Sequence, residues 1–261
     1  FSLPGRLPDR PARAYIPEIT PAAGKLKMRL GYFLGCSTDF LYPEVAICTV
    51  AVLSRLGCEV VLPRQLKCCG LPQQESGETG AAGMLALSNA KAFQQAGVEI
   101  VVTDCASCAA EIKESPAFEG IQVLDLSRLL LELIAGAKPT LQKVQKAITY
   151  HDPCHLAKAQ GITGEPRELL RLACADYREM PGAGDCCGGG GIFSIYHYDV
   201  GMGILKQKIS SIKETRAETV ATFCPACIMQ LRHGLWKNGG KVTVAHPVQL
   251  LAQSLGLNTR I

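Results

Sequence analysis

Ten of the thirteen cysteines follow one spacing pattern that occurs twice in the chain. Each copy contains an isolated cysteine, then an adjacent cysteine pair followed by glycine, then a Cys-x-x-Cys. The second copy lies 118 residues after the first at the isolated cysteine (36 to 154) and 119 residues after it at the Cys-x-x-Cys (105 to 224). The copies are Cys36, Cys68, Cys69, Cys105 and Cys108, and Cys154, Cys186, Cys187, Cys224 and Cys227. This repetition indicates a tandem duplication.

The chemistry of each copy is that of a soft-metal site, because thiolate sulfur binds zinc, copper(I) and the irons of iron–sulfur clusters. A structural zinc ion takes four ligands, whereas each copy offers five, and an adjacent cysteine pair suits a multi-iron cluster better. Glycine lets the backbone approach an inorganic core, so we expect Gly70, Gly188 and Gly189 to lie against the cofactor. The pattern predicts two iron–sulfur clusters. Zinc in one site and a purely thiol–disulfide role are the alternatives.

For other residues near the cysteine pattern, the sequence gives weaker support for a chemical role. His155 directly follows a cysteine and could hydrogen bond to cluster sulfur or pass a proton; His151 is a lesser candidate of the same kind. Asp104 is expected to cap the helix that follows it. No nucleophile elbow, Walker loop or paired carboxylates occur, so we predict no catalytic residue in this chain. Three further cysteines are expected to be core residues: Cys48, Cys58 and Cys174.

Charge and hydropathy exclude several classes of protein. The net charge is +4, and residues 1–27 hold five basic and two acidic residues, so the remainder is close to neutral. A nucleic-acid-binding surface on the body of the protein is therefore not expected. No apolar run approaches the roughly 18 residues of a membrane-spanning helix, and residues 1–27 do not resemble a secretory signal. We expect a cytoplasmic protein that reaches the inner face of a membrane only through a complex.

Short apolar runs alternate with longer helical stretches in both halves, which predicts an α/β fold. We expect two pseudo-repeated domains, each a small, mostly parallel sheet flanked by helices. The boundaries are 1–27 for a proline-rich basic linker or arm, 28–140 for the first domain and 141–261 for the second. The predicted strands are 29–34, 59–62, 100–103 and 122–124, then 147–151, 176–180, 219–222 and 241–245. One long helix is predicted over 75–96.

These elements would position the cysteines at the carboxyl ends of strands and at the starts of helices. Ligands collect at that edge of a parallel sheet. Helix N-termini there offer free N–H groups and a positive dipole end, which stabilise thiolates and an anionic cluster. Cysteines that are distant in sequence are therefore expected to converge, and the clusters to lie at the carboxyl ends of the strands.

The five-cysteine pattern resembles the CCG cysteine-rich domain. That domain occurs in tandem in the cysteine-rich subunit of heterodisulfide reductase and in iron–sulfur subunits of glycolate and lactate oxidation complexes. The resemblance covers about 30–255, and the stretches 151–160, 186–191 and 221–231 look closest to the glycolate-oxidase type. In the heterodisulfide reductase branch it implies that each set holds a noncubane 4Fe–4S cluster. In the glycolate branch a ferredoxin-like domain, which binds its clusters through cysteines, usually precedes the tandem. This sequence has no cysteine before Cys36, so we expect that domain either outside this sequence or on a partner.

The function that the resemblance implies is electron transfer within a flavin-dependent complex that oxidises a 2-hydroxy acid, glycolate or lactate. A FAD-containing dehydrogenase subunit would take hydride from the substrate, and the clusters would pass single electrons to another carrier or a quinone. Two alternatives belong to other classes. One is a heterodisulfide-reductase-like subunit whose clusters reduce a disulfide, and the other is a zinc-stabilised interaction module.

Overall fold

Short runs rich in apolar and β-branched residues form the strands of two separate sheets. The computed structural model describes residues 7–259. The strands of the first sheet are β1 (Ile19–Thr20), β2 (Met28–Tyr32), β3 (Cys58–Val61), β4 (Ile100–Thr103) and β5 (Gln122–Asp125). Those of the second sheet are β6 (Val144–Tyr150), β7 (Cys174–Tyr177), β8 (Thr219–Ala221) and β9 (Thr243–Ala245).

The two sheets share one strand order. The first runs β1-β3-β2-β4-β5, and β1 is antiparallel to β3 while the other neighbours are parallel. The second runs β7-β6-β8-β9 and is parallel throughout. Without β1 the orders are the same, with β2 equivalent to β6 and β4 equivalent to β8. The predicted α/β class with two mostly parallel sheets is confirmed, and the duplication extends to the topology.

Helices connect the parallel strands, as parallel pairing requires. In the first half they are α1 (Cys36–Phe40), α2 (Pro43–Arg55), α3 (Leu71–Glu75), α4 (Thr79–Gln95), α5 (Ala106–Glu114) and α6 (Leu126–Ala137). In the second half they are α7 (Cys154–Ala157), α8 (Gly164–Ala173), α9 (Phe193–Tyr196), α10 (Tyr198–Glu214), α11 (Pro225–Lys237) and α12 (Pro247–Ser254). Short 3₁₀ turns occupy Ala12–Ala14 and Pro116–Phe118. Among residues 7–259, no helix combines the length and the apolar content that crossing a membrane requires.

The described part of the N-terminal segment, 7–27, packs against the first half. Ala12 and Ile16 are buried in the core, and β1 pairs with β3. The Arg13 guanidinium lies 2.6 Å from the buried carboxylate of Asp39. Proline restricts the backbone of this segment, but burial of its few apolar side chains still fixes its position. The boundaries of the linker and of the two domains stay predictions.

One continuous hydrophobic core joins the two halves. Helix α2 packs against α12, α6 against α8, and α5 against α7. The N–H of Ala106, at the start of α5, donates to the carbonyl of Phe223 over 2.9 Å. His246 Nε2 lies 2.8 Å from the carbonyl oxygen of Asp104, and its Nδ1 accepts the N–H of Val248, so Nε2 carries the proton and donates. The helix starts that carry the Cys-x-x-Cys motifs therefore meet across the junction.

Candidate metal centre

The cysteines of both sets lie at the carboxyl ends of parallel strands. Cys36 begins α1 just after β2, and Cys154 begins α7 after β6. Cys105 and Cys224 are the N-cap residues of α5 and α11, and Cys108 and Cys227 lie in the first turns. The adjacent pairs lie in the loops that precede α3 and α9. All ten thiols therefore lie at the carboxyl edge of the two sheets.

All ten thiols line a single cavity between the halves, which is partly open to solvent. Its deep wall is formed by six buried cysteines: Cys69, Cys105, Cys108, Cys187, Cys224 and Cys227. Cys68 is half-buried. Cys36, Cys154 and Cys186 are exposed and form the mouth. All thirteen cysteines lie in the described part of the chain, and none is disulfide bonded.

Sulfur atoms within each set are neighbours. The Sγ atoms of Cys36 and Cys68 lie 4.0 Å apart, and those of Cys187 and Cys227 lie 3.6 Å apart, both too far for a disulfide bond. Cys105 and Cys224, one from each set, line the same cavity and shift each other's pKa. The two five-cysteine sets are therefore adjacent rather than separate.

Three of the buried thiols are drawn towards the thiolate form. Hydrogen bonds from Cys108 and Cys68 lower the pKa of Cys69 to about 4. Hydrogen bonds from Cys186 and Cys227 hold the pKa of Cys187 well below its usual value.

At the third of these thiols, hydrogen bonds from Cys105 and Cys227 hold the pKa of Cys224 well below its usual value. Hydrogen bonds to neighbouring thiols, together with burial, raise the pKa of Cys108 and of Cys227 well above the usual value. The closely spaced sulfurs therefore share protons unequally, and a soft metal, which binds sulfur only as thiolate, would take the place of those protons.

Glycine after each cysteine pair turns the backbone towards sulfur. Gly70 and Gly188 both have left-handed backbones, with φ of 101° and 81°. The N–H of Gly188 donates to Cys186 Sγ over 3.3 Å, and the N–H of Gly70 donates to the thiol of Cys68. A Cβ on Gly189 would lie 3.5 Å from Cys187 Sγ, so its lack of a side chain leaves the sulfur accessible. These glycines occupy the positions that the sequence assigns to cofactor contact.

The histidines occupy two different positions. His155 Nδ1 lies 2.9 Å from Ser107 Oγ, which in turn lies 3.4 Å from Cys224 Sγ, so His155 reaches the second set through a residue of the first half. His151 is buried, and one of its ring nitrogens lies within 4.8 Å of the sulfurs of Cys187 and Cys227. The sequence ranks His155 above His151, whereas the structure places both at the cavity.

Two residues depart from the sequence-based interpretation. Asp104 does not cap α5, because Cys105 is the N-cap and its Sγ accepts the N–H of Cys108. The carboxylate of Asp104 instead accepts hydrogen bonds from hydroxyl groups of the sheet and of neighbouring helices, those of Tyr32, Thr38 and Thr49. Ser107 was missed. Comparison of the two Cys-x-x-Cys motifs would have found it, because Ala226 occupies the matching position.

The cysteines outside the pattern are core residues, as expected. Cys48, Cys58 and Cys174 are buried. Burial raises the pKa of each of these thiols, which keeps them protonated. They therefore differ from the cavity cysteines in environment and not only in spacing.

The donor set fits a soft-metal cofactor. Six buried thiols face one cavity, several of them have only sulfur and backbone N–H groups as partners, and the helix starts of α5 and α11 add positive dipole ends. A multi-iron cluster uses such features, because it binds thiolates and accepts N–H bonds at its sulfurs.

A match to a known domain family agrees with this arrangement. The model of the cysteine-rich domain called CCG matches residues 30–113 and 148–232, one match in each half. The chain therefore belongs to the CCG cysteine-rich domain family and contains two copies of the domain.

Named relatives give this family membership a context. The chain is 32% identical over 272 residues to the "Probable glycolate oxidase iron-sulfur subunit" of Bacillus subtilis strain 168, across 97% of this chain and 61% of that protein. It is 32% identical over 251 residues to a protein of Methanothermobacter marburgensis that is named as a subunit of fumarate reductase (CoM/CoB), across 95% of this chain and 50% of that protein.

A shorter relative is covered almost completely. The chain is 30% identical over 237 residues to "Lactate utilization protein A" of Oceanobacillus iheyensis, across 86% of this chain and 96% of that protein. By contrast, the chain spans only 61% and 50% of the lengths of the glycolate oxidase and fumarate reductase relatives. The chain is thus similar to iron–sulfur subunits of oxidoreductases.

Proposed function

We propose that this chain is an electron-transfer subunit that holds two iron–sulfur clusters, one in each five-cysteine set. The observation that carries the proposal is the convergence of ten thiols on one cavity, with three of them drawn towards thiolate. Bound clusters, of 4Fe–4S type and in the noncubane form if the heterodisulfide reductase resemblance holds, would supply one-electron redox chemistry. Ligands for the first would be Cys36, Cys68, Cys69, Cys105 and Cys108, and for the second Cys154, Cys186, Cys187, Cys224 and Cys227.

Other residues of the cavity would hold and shield these cofactors. The N–H groups of Gly70 and Gly188 donate to sulfur, and Gly189 leaves room beside Cys187. His155 orients Ser107, whose hydroxyl lies against Cys224. Because both sets line one cavity, cofactors bound by them would be neighbours with little protein between them.

The specific role that we infer is in a complex that oxidises a 2-hydroxy acid such as glycolate or lactate. Two relatives bear names of glycolate oxidase and lactate utilisation, which supports this substrate class. A FAD-containing dehydrogenase subunit would perform the hydride abstraction, and a ferredoxin-like domain or subunit would be a second partner. A reducing, cytoplasmic compartment, with contact to the membrane only through the complex, belongs to the same proposal because the ligands must remain reduced.

A second candidate is reduction of a disulfide by the clusters themselves. The cavity is open at a mouth that displays three exposed cysteines, and the relative named for fumarate reductase (CoM/CoB) is as similar as the glycolate oxidase relative. A substrate disulfide could reach the cavity through this mouth.

A zinc site is the third candidate, and it concerns the second set alone. His151, Cys187 and Cys227 bring ligand atoms within 4.8 Å of one another, a spacing compatible with one tetrahedral ion. The five thiols of that set exceed the four ligands that zinc takes, which favours a multi-iron cofactor over zinc.

Anaerobic purification with metal and sulfide analysis tests the proposal. We expect iron and acid-labile sulfide in near-equal amounts, a brown colour, and bleaching when a FAD-dependent glycolate or lactate dehydrogenase and its substrate are added. Bleaching by a reduced donor that is reversed by a small disulfide would favour the second candidate. A colourless protein that contains zinc and no sulfide would overturn the iron–sulfur proposal.

A further inference from the structure

Helices α4 and α10 occupy equivalent places in the two halves and have the same length. Each has 17 residues, and each follows the loop that carries a cysteine pair. Asn89 is the eleventh residue of α4 and Lys208 is the eleventh residue of α10. Both side chains are buried, with exposed fractions of 0% and 2%. The duplication therefore places a neutral and a basic side chain at one buried position.

Asn89 holds the backbone of the first cysteine pair. Its side-chain oxygen accepts the N–H of Lys67 over 2.8 Å, and its side-chain nitrogen donates to the carbonyl of Cys68 over 2.9 Å. These two bonds satisfy backbone groups of the loop without adding charge.

Lys208 holds the equivalent loop of the second half. Its ammonium nitrogen donates to the carbonyl oxygens of Gly182 and Ala183 over 2.5 and 3.3 Å. The Ala183 carbonyl also accepts the N–H of Asp152, over 3.1 Å. Lys208 therefore joins the loop that carries Cys186 and Cys187 to the strand end that carries Cys154, and it brings a positive charge to this junction.

The charges around Lys208 favour its cationic form once the second set is occupied. Burial lowers the pKa of Lys208, while attraction to Asp185 and to Cys187 opposes that change. Asp152, the other nearby carboxylate, is already paired with Arg167 at 2.7 Å. An anionic cofactor on the second set would add negative charge and stabilise the ammonium further.

We propose that Lys208 is a positioning residue whose charge raises the reduction potential of the cofactor on the second set. The inference rests on the proposed iron–sulfur function. A nearby cation stabilises the more negative, reduced form of a cluster, whereas the neutral Asn89 does not. An electron that a one-electron donor, thereby oxidised, gives to the second site is held there more strongly because of the Lys208 charge.

Redox titration of variants tests this role. In a Cys69→Ser background, which we expect to retain only the second site, Lys208→Met removes the charge and Lys208→Arg keeps it. We expect Lys208→Met to lower the equilibrium constant for one-electron reduction of the second cofactor about tenfold, which lowers its reduction potential by about 59 mV. Lys208→Arg should restore the original potential. Dithionite with mediators is the reductant, and the electron paramagnetic resonance signal is the readout.

Two further variants separate charge from hydrogen bonding. Lys208→Gln keeps a donor for the Gly182 carbonyl without the charge, so it should behave like Lys208→Met, and it carries the test if Lys208→Met does not fold. Lys206→Met removes a positive charge from the exposed side of the same helix and should leave the potential unchanged.

The outcomes distinguish this inference from the function on which it rests. Unchanged potentials in Lys208→Met and Lys208→Gln, with clusters present, would overturn the role of Lys208 alone. A normal potential in Lys208→Gln with a shifted one in Lys208→Met would assign the effect to the hydrogen bond and also overturn it. Absence of iron and sulfide from the unaltered protein would instead remove the proposed clusters.

Discussion

The first half has a carboxylate where the second half has an aromatic ring. Asp104 precedes Cys105, and Phe223 precedes Cys224, at the same 119-residue offset (104 to 223). Asp104 is buried among hydroxyl groups, and burial raises its pKa to about 6. Phe223 is equally buried and packs edge-on against His246, with ring centroids 4.9 Å apart.

This contrast agrees with the one between Asn89 and Lys208. In these two pairs the first half has the less positive side chain and the second half the more positive one, although the thiols, the strand order and the glycine turns are the same. The residues directly before the cysteine pairs differ in the opposite sense, because Lys67 precedes the first pair and Asp185 the second. The two copies of the five-cysteine set therefore lie in different electrostatic environments. The charge lies on residues that the cysteine pattern does not include.

Removal of one buried thiol from either half should have the largest effect, and it tests whether the two halves bind metal independently. Cys69→Ser and Cys187→Ser each delete the buried, thiolate-forming member of a pair. We expect each variant to lose about half of the iron and sulfide, because each set should hold one cluster with its own five ligands. Metal and sulfide analysis after anaerobic purification measures this.

Cys174→Ala is the matched control for these variants, because that buried cysteine lies outside the cavity; its metal content should not change. Full loss of iron in either single variant would show that the two sets act as one site, and full retention in both would contradict the proposed ligands.

The glycine turns sharpen the comparison at the level of stability. Gly70→Ala places a side chain on a left-handed backbone, which costs about 1–2 kcal/mol, and its Cβ would lie 3.2 Å from the carbonyl oxygen of Ala82. Gly188→Ala meets the same strain, and its Cβ would overlap the carbonyl oxygen of Gly201. We expect Gly188→Ala to lower the free energy of unfolding by about 3 kcal/mol or more.

Urea unfolding followed by circular dichroism would measure both glycine variants. Gly77→Ala is a control with the same left-handed backbone and open space around its Cβ, so it should lose no more stability than Gly70→Ala. Equal losses of stability for Gly70→Ala and Gly188→Ala would show that the backbone conformation, and not the contact with Gly201, decides the cost.

The helix caps at the ends of the last strands are a carboxylate in the first half and an imidazole in the second. Asp125 caps α6 by accepting the N–H of Arg128, whereas His246 caps α12 by accepting that of Val248. Burial lowers the pKa of His246 to about 4, below its ordinary value of 6.5. The unfolded chain therefore binds the extra proton first, so the stability due to neutral His246 is full above about pH 6.5 and is lost as the pH falls towards about 4.

His246→Asn supplies a cap that does not titrate in this range. Relative to this variant, the unaltered protein should lose about 2–3 kcal/mol of unfolding free energy between pH 7 and pH 4. Paired urea titrations at several pH values measure the difference, and titration of Asp104 largely cancels because both proteins contain that residue. A difference that does not change with pH would show that His246 stays neutral in the unfolded protein as well, or is not buried.

Local patterns were enough to predict most of the fold. The strand predicted over 100–103 has the bounds of β4, and the alternation of strands and helices indicated the class. The helix predicted over 75–96 is interrupted at 76–78, where Gly77 adopts a left-handed backbone. Strand β1 was missed because its two residues depend on pairing with β3, which lies about 40 residues further along the chain (19 to 61).

The site divides along the same line. The convergence of the ten thiols could be predicted, because strand ends and helix starts fix where those thiols lie. The fact that both sets line one cavity could not, because it depends on how the halves pack against each other. For the same reason the sequence did not indicate that Ser107 joins His155 to Cys224 or that Lys208 reaches the loop of the second pair.

The layering of the cavity has a consequence for maturation of the protein. Cys36, Cys154 and Cys186 are exposed at the mouth, while Cys105 and Cys224 are buried and come from opposite halves. Under the proposed function, a donor that delivers a cofactor to the folded chain would reach the outer thiols first, and the inner thiols would bind it afterwards. Insertion of the cofactor would then be a late event in biogenesis, and until it occurs the mouth thiols would be open to oxidants.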